Sequence, residues 1–168
     1  LTRAMEWAVA YDGPIAIKYA RGQAYYGLKD YNEPVEYGKS EILREGSEIA
    51  LVAVGNMVEE TEKLYNRFLQ EGRQVTFVNA RFIKPLDKEM IDHLAETHKL
   101  IVTIEEGILH GGYGALVEEY LEPKASDVKV LPIAIEDTFV RHGSVEELRK
   151  MLKIDAESIY RRIRDIME

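Results

Sequence analysis

The chain has 168 residues, 46% of them hydrophobic and 31% charged, which suits one globular domain with a small appendage and enough length to bury a core. A formal net charge of −8 argues against nucleic-acid or anionic-membrane binding through bulk charge, although it leaves room for a local basic pocket. Cysteine is absent, which excludes disulfides and cysteine-based metal or redox chemistry and fits a cytosolic protein.

No apolar run approaches the roughly 20 residues of a spanning helix, and no signal-peptide pattern opens the chain. The first residue is Leu1, and the opening is already helix-like, so the chain is expected to be a piece of a longer protein. Residues 2–10 place Met5, Ala8 and Val9 on one face of a short amphipathic helix. "DGP" at 12–14 is a turn, and "IAIKY" at 15–19 alternates β-branched residues as a short strand does. From Gly22 to Gly38 periodicity dissolves; this stretch reads as a linker whose tyrosines should lie along a surface. The polar stretch 35–46 is expected to add an edge strand.

From residue 47 onward the rhythm is regular. "SEIALVAVG" (47–55) is a nearly continuous apolar run, as in a buried parallel strand. A helix over 57–71 follows, with Val58, Leu64, Tyr65, Phe68 and Leu69 at i, i+3/i+4 spacing. "QVTFVNA" (74–80) is a strand, and the next helix takes Asp87 as N-cap with Met90, Ile91 and Leu94 facing inward. "KLIVTIEE" (99–106) is a third buried strand, and "GGYGALVEEYLE" is a glycine turn into a helix. "VKVLPIAI" (128–135) is a fourth strand, demoted by Pro132. Ser144 and Glu147 have capping-box spacing at the start of "SVEELRKML", and "DAESIYRRIRDIM" supplies the last helix. This alternation predicts an α/β domain with a largely parallel sheet covered on both faces.

Ligands of such sheets gather beyond the carboxyl ends of the strands, where strand order reverses. At the "NARFIKPLD" junction, Arg81 and Lys84 could hold a phosphate or carboxylate; alternatively Arg81 pairs with an acidic neighbour, which is the preferred reading. At "TIEEGILHGGYG", glycines leading into a helix N-terminus could cradle an anion, although the spacing is neither GxGxxG nor a P-loop. Glu105 and Glu106 in series point to opposite faces, with one of the two open to burial against a cation. None of the four histidines pairs at metal-ligand spacing: His93 and His98 are expected at the surface, and His110 and His142 in loops, with structural roles preferred. No Gly-x-Ser-x-Gly elbow is present. In "IKYARG" (17–22), Lys18 and Arg21 either bind an anion or keep an edge soluble.

"DGPIAIKYARG", "YGKSEILREGSEIALVAVG", "RFIKPLD", "VTIEEGILHGGYG" and "IAIEDTFVRHGSVEEL", in this order, resemble the C-terminal part of the 1-deoxy-D-xylulose 5-phosphate synthase family, relatives of transketolase. The sequence departs from that family's pattern at Lys18 (usually Arg), Ala20 (usually Pro) and Glu136 (usually Pro). The resemblance implies residues 1–21 as the helix-and-strand tail of a pyrimidine-binding domain, 22–35 as linker, and 36–168 as a transketolase-like C-terminal domain. That domain is a three-layer α/β sandwich with a mostly parallel five-stranded sheet and one antiparallel edge strand.

The resemblance also implies a parent enzyme, a thiamine-diphosphate- and Mg2+-dependent transferase. It condenses pyruvate with glyceraldehyde 3-phosphate, releases CO2, and feeds isoprenoid, thiamine and pyridoxal synthesis. The family's GDG…N cofactor motif, its activating glutamate and its proton-shuttling histidines belong to segments not in this sequence. The chain alone is therefore expected to bind no thiamine diphosphate or metal and to catalyse nothing. Its implied partners are the rest of the parent chain and a second copy of the parent, with neither nucleic acid nor membrane, in the cytoplasm.

Of the family's site residues, the second arginine of its RYPRG pattern, which binds the aldehyde's phosphate, corresponds to Arg21; Lys18 is left structural. The "HGGYG" and "RFIKPLD" turns are expected to be architectural. The competing readings are the related β subunit of a 2-oxo-acid dehydrogenase or another transketolase-like enzyme, and a non-enzymatic assembly module. Residues 36–168 are expected to fold autonomously, and residues 1–21 to be poorly ordered or to dock non-natively.

Overall fold

The structure is a computed structural model, and it describes residues 1–20, 25–31, 33–124 and 126–168. Five strands make one sheet: β1 (Glu41–Arg44), β2 (Glu48–Ala53), β3 (Thr76–Asn79), β4 (His98–Ile108) and β5 (Lys129–Ile135). Their order is β1-β3-β2-β4-β5, with β1 antiparallel to β3 and every other pair parallel. The helices are α1 (Thr2–Ala10), α2 (Met57–Gln70), α3 (Lys88–Thr97), α4 (Tyr113–Leu121), α5 (Val145–Met151) and α6 (Ala156–Met167).

Both faces of the sheet are covered because alternate strand residues feed two different cores. Ile49 and Leu51 of β2, Leu100, Val102 and Ile104 of β4, and Leu131 and Ile133 of β5 face α2 and α6. There they meet Leu64, Phe68, Ile159 and Ile163. The residues between them, Ala50, Val52 and Ile101, join Val78 of β3 on the opposite face, against Ile91 and Leu94 of α3 and Val117 and Leu121 of α4. The sandwich thus has three layers, with the polar strand β1 at one edge and the proline-bearing β5 at the other.

Local signals fix the helix starts. Asp87 caps α3 by accepting from the Met90 N–H at 3.2 Å. Ser144 and Glu147 form a reciprocal capping box on α5, and Asp155 caps α6 through the Ser158 N–H. On α2 the expected stripe holds for Val58, Leu64 and Phe68, whereas Leu69 is exposed.

The upstream segment departs from expectation in two respects. Residues 15–19 form no strand, since a strand needs a neighbour and none is offered to "IAIKY". Helix α1 forms as expected, but Met5 and Val9 are exposed. Its contact face instead carries Trp7, which stacks on Tyr11 and Tyr37 and meets the edge of Phe82. One aromatic ring offers more contact area than three small aliphatic positions, so packing selects the Trp7 face. Residues 25–31 do lie along a surface, with Tyr25, Leu28 and Tyr31 packed on Leu43, Val58 and Phe77.

Candidate functional site

Strand order reverses between β2 and β4, because the chain leaves β2 for β3 on one side and later returns with β4 on the other. In an open α/β sheet the crevice beyond these carboxyl ends is where a ligand would enter. Here the crevice is framed by Asn56 at the start of α2 and by Glu105 and Glu106 near the end of β4.

As their sequence spacing requires, the two glutamates serve opposite faces. Glu105 is buried and accepts a hydrogen bond from the Gly114 N–H at 3.0 Å, at the start of α4. A Cβ on Gly107 or Gly112 would stand 2.3 or 2.6 Å from a Glu105 carboxylate oxygen, so glycine is the residue that lets the turn close around it. The anion cradled by the glycine turn is therefore the protein's own carboxylate, which suits the positive end of the α4 dipole. A second anion would meet an N–H group already engaged and a negative charge beside it.

Glu106 turns toward α5. Its Oε1 accepts from Arg149 Nε at 2.8 Å and lies 2.7 Å from Nη2, and its Oε2 accepts from Asn56 Nδ2 at 2.5 Å. The same guanidinium donates through Nη1 to Glu60 Oε1 at 3.2 Å. Glu60 also accepts from Lys63 at 2.6 Å and from the Ala156 N–H at 3.1 Å. Arg149 and Glu60 are both buried. Two carboxylates, one guanidinium and one amide thus fill the mouth of the crevice and tie α5 to α2 and β4. Neither Arg149 nor Glu60 emerged from the sequence as a site residue. The available signal was that Arg149 follows Leu148 and lies i−3 from Leu152, on the side of α5 that packs inward.

At the other junction Arg81 resolves in favour of the acidic neighbour. Its Nη2 lies 2.7 Å from Glu41 Oε1, with both side chains nearly inaccessible. The remaining donors reach the Pro34 carbonyl at 2.8 Å and the Glu33 carbonyl at 3.1 Å. Lys84 is exposed.

His93, His110 and His142 are exposed, but His98 corrects its expected surface position: it opens β4 as a buried residue. Its Nε2 contacts the Thr76 hydroxyl at 2.7 Å and its Nδ1 the Thr97 hydroxyl at 2.8 Å. The Thr97 hydroxyl donates to the His93 carbonyl, so it accepts from Nδ1–H, and Nε2 accepts from Thr76. Burial holds this imidazole below its usual pKa, in the neutral form.

Lys18 is exposed, and Arg21 lies outside the described residues. Among the described residues no group of three or more His, Asp or Glu is arranged to hold a metal ion. No described helix is long and apolar enough to cross a membrane.

Comparison with known proteins extends these observations. The family model for the transketolase C-terminal domain matches residues 38–159. A 1-deoxy-D-xylulose-5-phosphate synthase from Lachnoclostridium phytofermentans is 43% identical over 162 residues, covering 96% of this chain and 26% of that protein. The synthase from Heliobacterium modesticaldum is 38% identical over 169 residues, covering all of this chain and again 26% of the relative. The chain thus spans about a quarter of the length of the curated relatives it matches. Among solved structures, a split-gene transketolase described as an inactive beta4 tetramer has a TM-score of 0.72 at 25% identity, covering 79% of this chain and 43% of that one. Transketolase from Campylobacter jejuni, at a TM-score of 0.57 and 17% identity over 80% of this chain and 20% of its own, shares the fold. With a sheet of this order and a family model that runs from the turn before β1 into α6, the chain belongs to the transketolase C-terminal domain family.

Proposed function

We propose that this chain is the C-terminal portion of a 1-deoxy-D-xylulose-5-phosphate synthase. Such an enzyme is a thiamine-diphosphate- and Mg2+-dependent transferase that joins pyruvate to glyceraldehyde 3-phosphate with loss of CO2. The observation that carries this reading is the 43% identity to a synthase along 96% of the chain, against 17–25% for the transketolases that share its fold.

Thiamine diphosphate supplies the ylid chemistry when bound in the parent. The residues at the crevice here do not fit it. The α4 N-terminus holds Glu105, and the Arg149 guanidinium at the mouth is shared between Glu60 and Glu106. Cofactor and metal sites therefore belong to the remaining three quarters of the parent, and this chain alone is inactive. Its own role is to pack against those portions, and against a second copy of the parent in a cytoplasmic homodimer.

The chain contributes Arg21 to the assembled active site. Its guanidinium fits a phosphate oxygen pair bidentately, and each charge-assisted hydrogen bond contributes about 1.5–3 kcal/mol. That interaction favours a phosphorylated aldehyde over a plain one. The test is CO2 release from pyruvate and glyceraldehyde 3-phosphate, with thiamine diphosphate and Mg2+ present, for the parent polypeptide and for this chain separately. The parent turns over, the chain does not, and Arg21→Ala in the parent raises KM for the aldehyde while leaving that for pyruvate in place. A parent without this activity refutes the assignment, and an unchanged aldehyde KM removes Arg21 from the site.

A further inference from the structure

Arg81 does more than neutralise Glu41. The residue sits in the left-handed backbone region, with φ of 54°, where a non-glycine residue is held only by its surroundings. That turn aims the guanidinium toward two segments, where it meets one carboxylate and two carbonyl acceptors. One is the Glu41 carboxylate at the start of β1, a close charge contact at 2.7 Å. The other two are consecutive main-chain carbonyls of the upstream arm, Glu33 at 3.1 Å and Pro34 at 2.8 Å. A planar fork is suited to two adjacent carbonyls, which an ammonium cannot span.

The neighbouring residue works in the same direction. Phe82 packs its ring against Tyr37, at 6.0 Å between centroids, and against Trp7 of α1 at 5.3 Å. Trp7 and Tyr37 stack on one another at 6.1 Å, and Arg3 of α1 donates to the Glu33 carbonyl that Arg81 also holds. Two successive residues of one turn thus gather the arm and the first helix.

Toward its amino end the arm is held by Tyr25 hydrogen-bonded to Glu62, by Tyr31 under the Arg44 guanidinium at 4.9 Å, and by Leu28 against the edge of the core. At Arg81 a single guanidinium holds two consecutive main-chain carbonyls of the arm at once.

We propose that Arg81 is the positioning residue that fixes the path of the upstream arm at Glu33 and Pro34, and that its loss weakens binding of the aldehyde phosphate assigned above to Arg21. The second half rests on the reading of Arg21 given above; the first half stands without it. Glu41 and the carbonyls supply the anchor, and the arm carries its effect. Arg81 touches no substrate in this scheme.

The experiment uses Arg81→Lys and Arg81→Met in the full parent enzyme. Arg81→Lys keeps a positive charge beside buried Glu41 and loses the two-carbonyl fork, so it retains a folded domain even if Arg81→Met does not. The arm is read by the rate of limited chymotryptic cleavage at Tyr25, Tyr26 and Tyr31, which rises about tenfold in Arg81→Lys while circular dichroism and thermal midpoint of the domain hold. The site is read by steady-state kinetics: KM for glyceraldehyde 3-phosphate rises several-fold and KM for pyruvate holds. Cleavage at the wild-type rate overturns the anchor. Faster cleavage with an unchanged aldehyde KM, in an enzyme where Arg21→Ala does raise it, overturns the link from anchor to site. If Arg21→Ala also leaves that KM unchanged, the failure belongs to the Arg21 reading, and the cleavage rate alone decides the anchor.

Discussion

Removing the guanidinium at the crevice mouth tests whether Arg149 holds the domain together. Arg149→Met keeps an unbranched apolar side chain at this buried position but takes away the donors that Arg149 offers to Glu60 and Glu106. Breaking a buried ion pair by removing one partner costs about 3–5 kcal/mol, because the remaining charge is left without compensation. Three features place this case at the lower end. Glu60 keeps Lys63 and the Ala156 N–H, Glu106 keeps Asn56, and the Glu106 side chain is 27% accessible, so water can solvate it. The expected loss is about 3 kcal/mol, which for a domain of this size corresponds to a fall in Tm of roughly 6–12 °C.

Urea unfolding of this chain followed by circular dichroism measures it directly, with a lower midpoint at constant m-value. A triple replacement, Arg149→Met with Glu60→Gln and Glu106→Gln, removes the stranded charges and should recover most of the loss. A midpoint for Arg149→Met within the equivalent of about 0.5 kcal/mol of wild type, the range of an ordinary surface change, would refute the assignment of this network as a structural tie.

Two further outcomes follow from the glycine turn and the buried histidine. Gly112→Ala should destabilise the chain by about 3 kcal/mol, the upper end for overpacking, because its Cβ would stand 2.3 Å from the Ile108 carbonyl and 2.6 Å from Glu105, whereas Gly55→Ala meets open space and carries only left-handed strain of about 1–2 kcal/mol; equal urea midpoints for the two variants would contradict the steric argument. His98 has a folded-state pKa below its ordinary 6.5, so the unfolded chain binds more protons across that window and stability, full above about pH 6.5, declines as pH falls below it. His98→Asn should flatten this decline in midpoints measured between about pH 8 and 5, with an upper limit of about 1.4 kcal/mol per pH unit for the wild-type contribution; parallel profiles for the two proteins would count against it.

Much of the candidate site was legible in outline. The opposite facing of Glu105 and Glu106 follows from short-range spacing, and the structure bears it out together with the preference for an acidic partner at Arg81. What spacing could not reveal is which distant group completes each half. Glu106 and Arg149 are 43 positions apart, Glu60 and Arg149 are 89 apart, and Arg81 meets a carbonyl 47 residues upstream. His98 was misjudged for the same reason. A histidine at a helix end reads as solvated until β3 brings Thr76 against it and closes the cavity around the ring.

The amino-acid sequence by itself determined the element types from β1 onward, the caps at Asp87 and Ser144, and the α/β class. These depend on the two side-chain periods and on hydrogen bonds reaching three residues along the chain. The tertiary structure alone decided that the glycine turn holds Glu105, that Arg149 closes the crevice, and that Arg81 grips the upstream arm. Each of those outcomes is the neutralisation or solvation of a buried polar group, and burial exists only once the sheet has brought remote segments together.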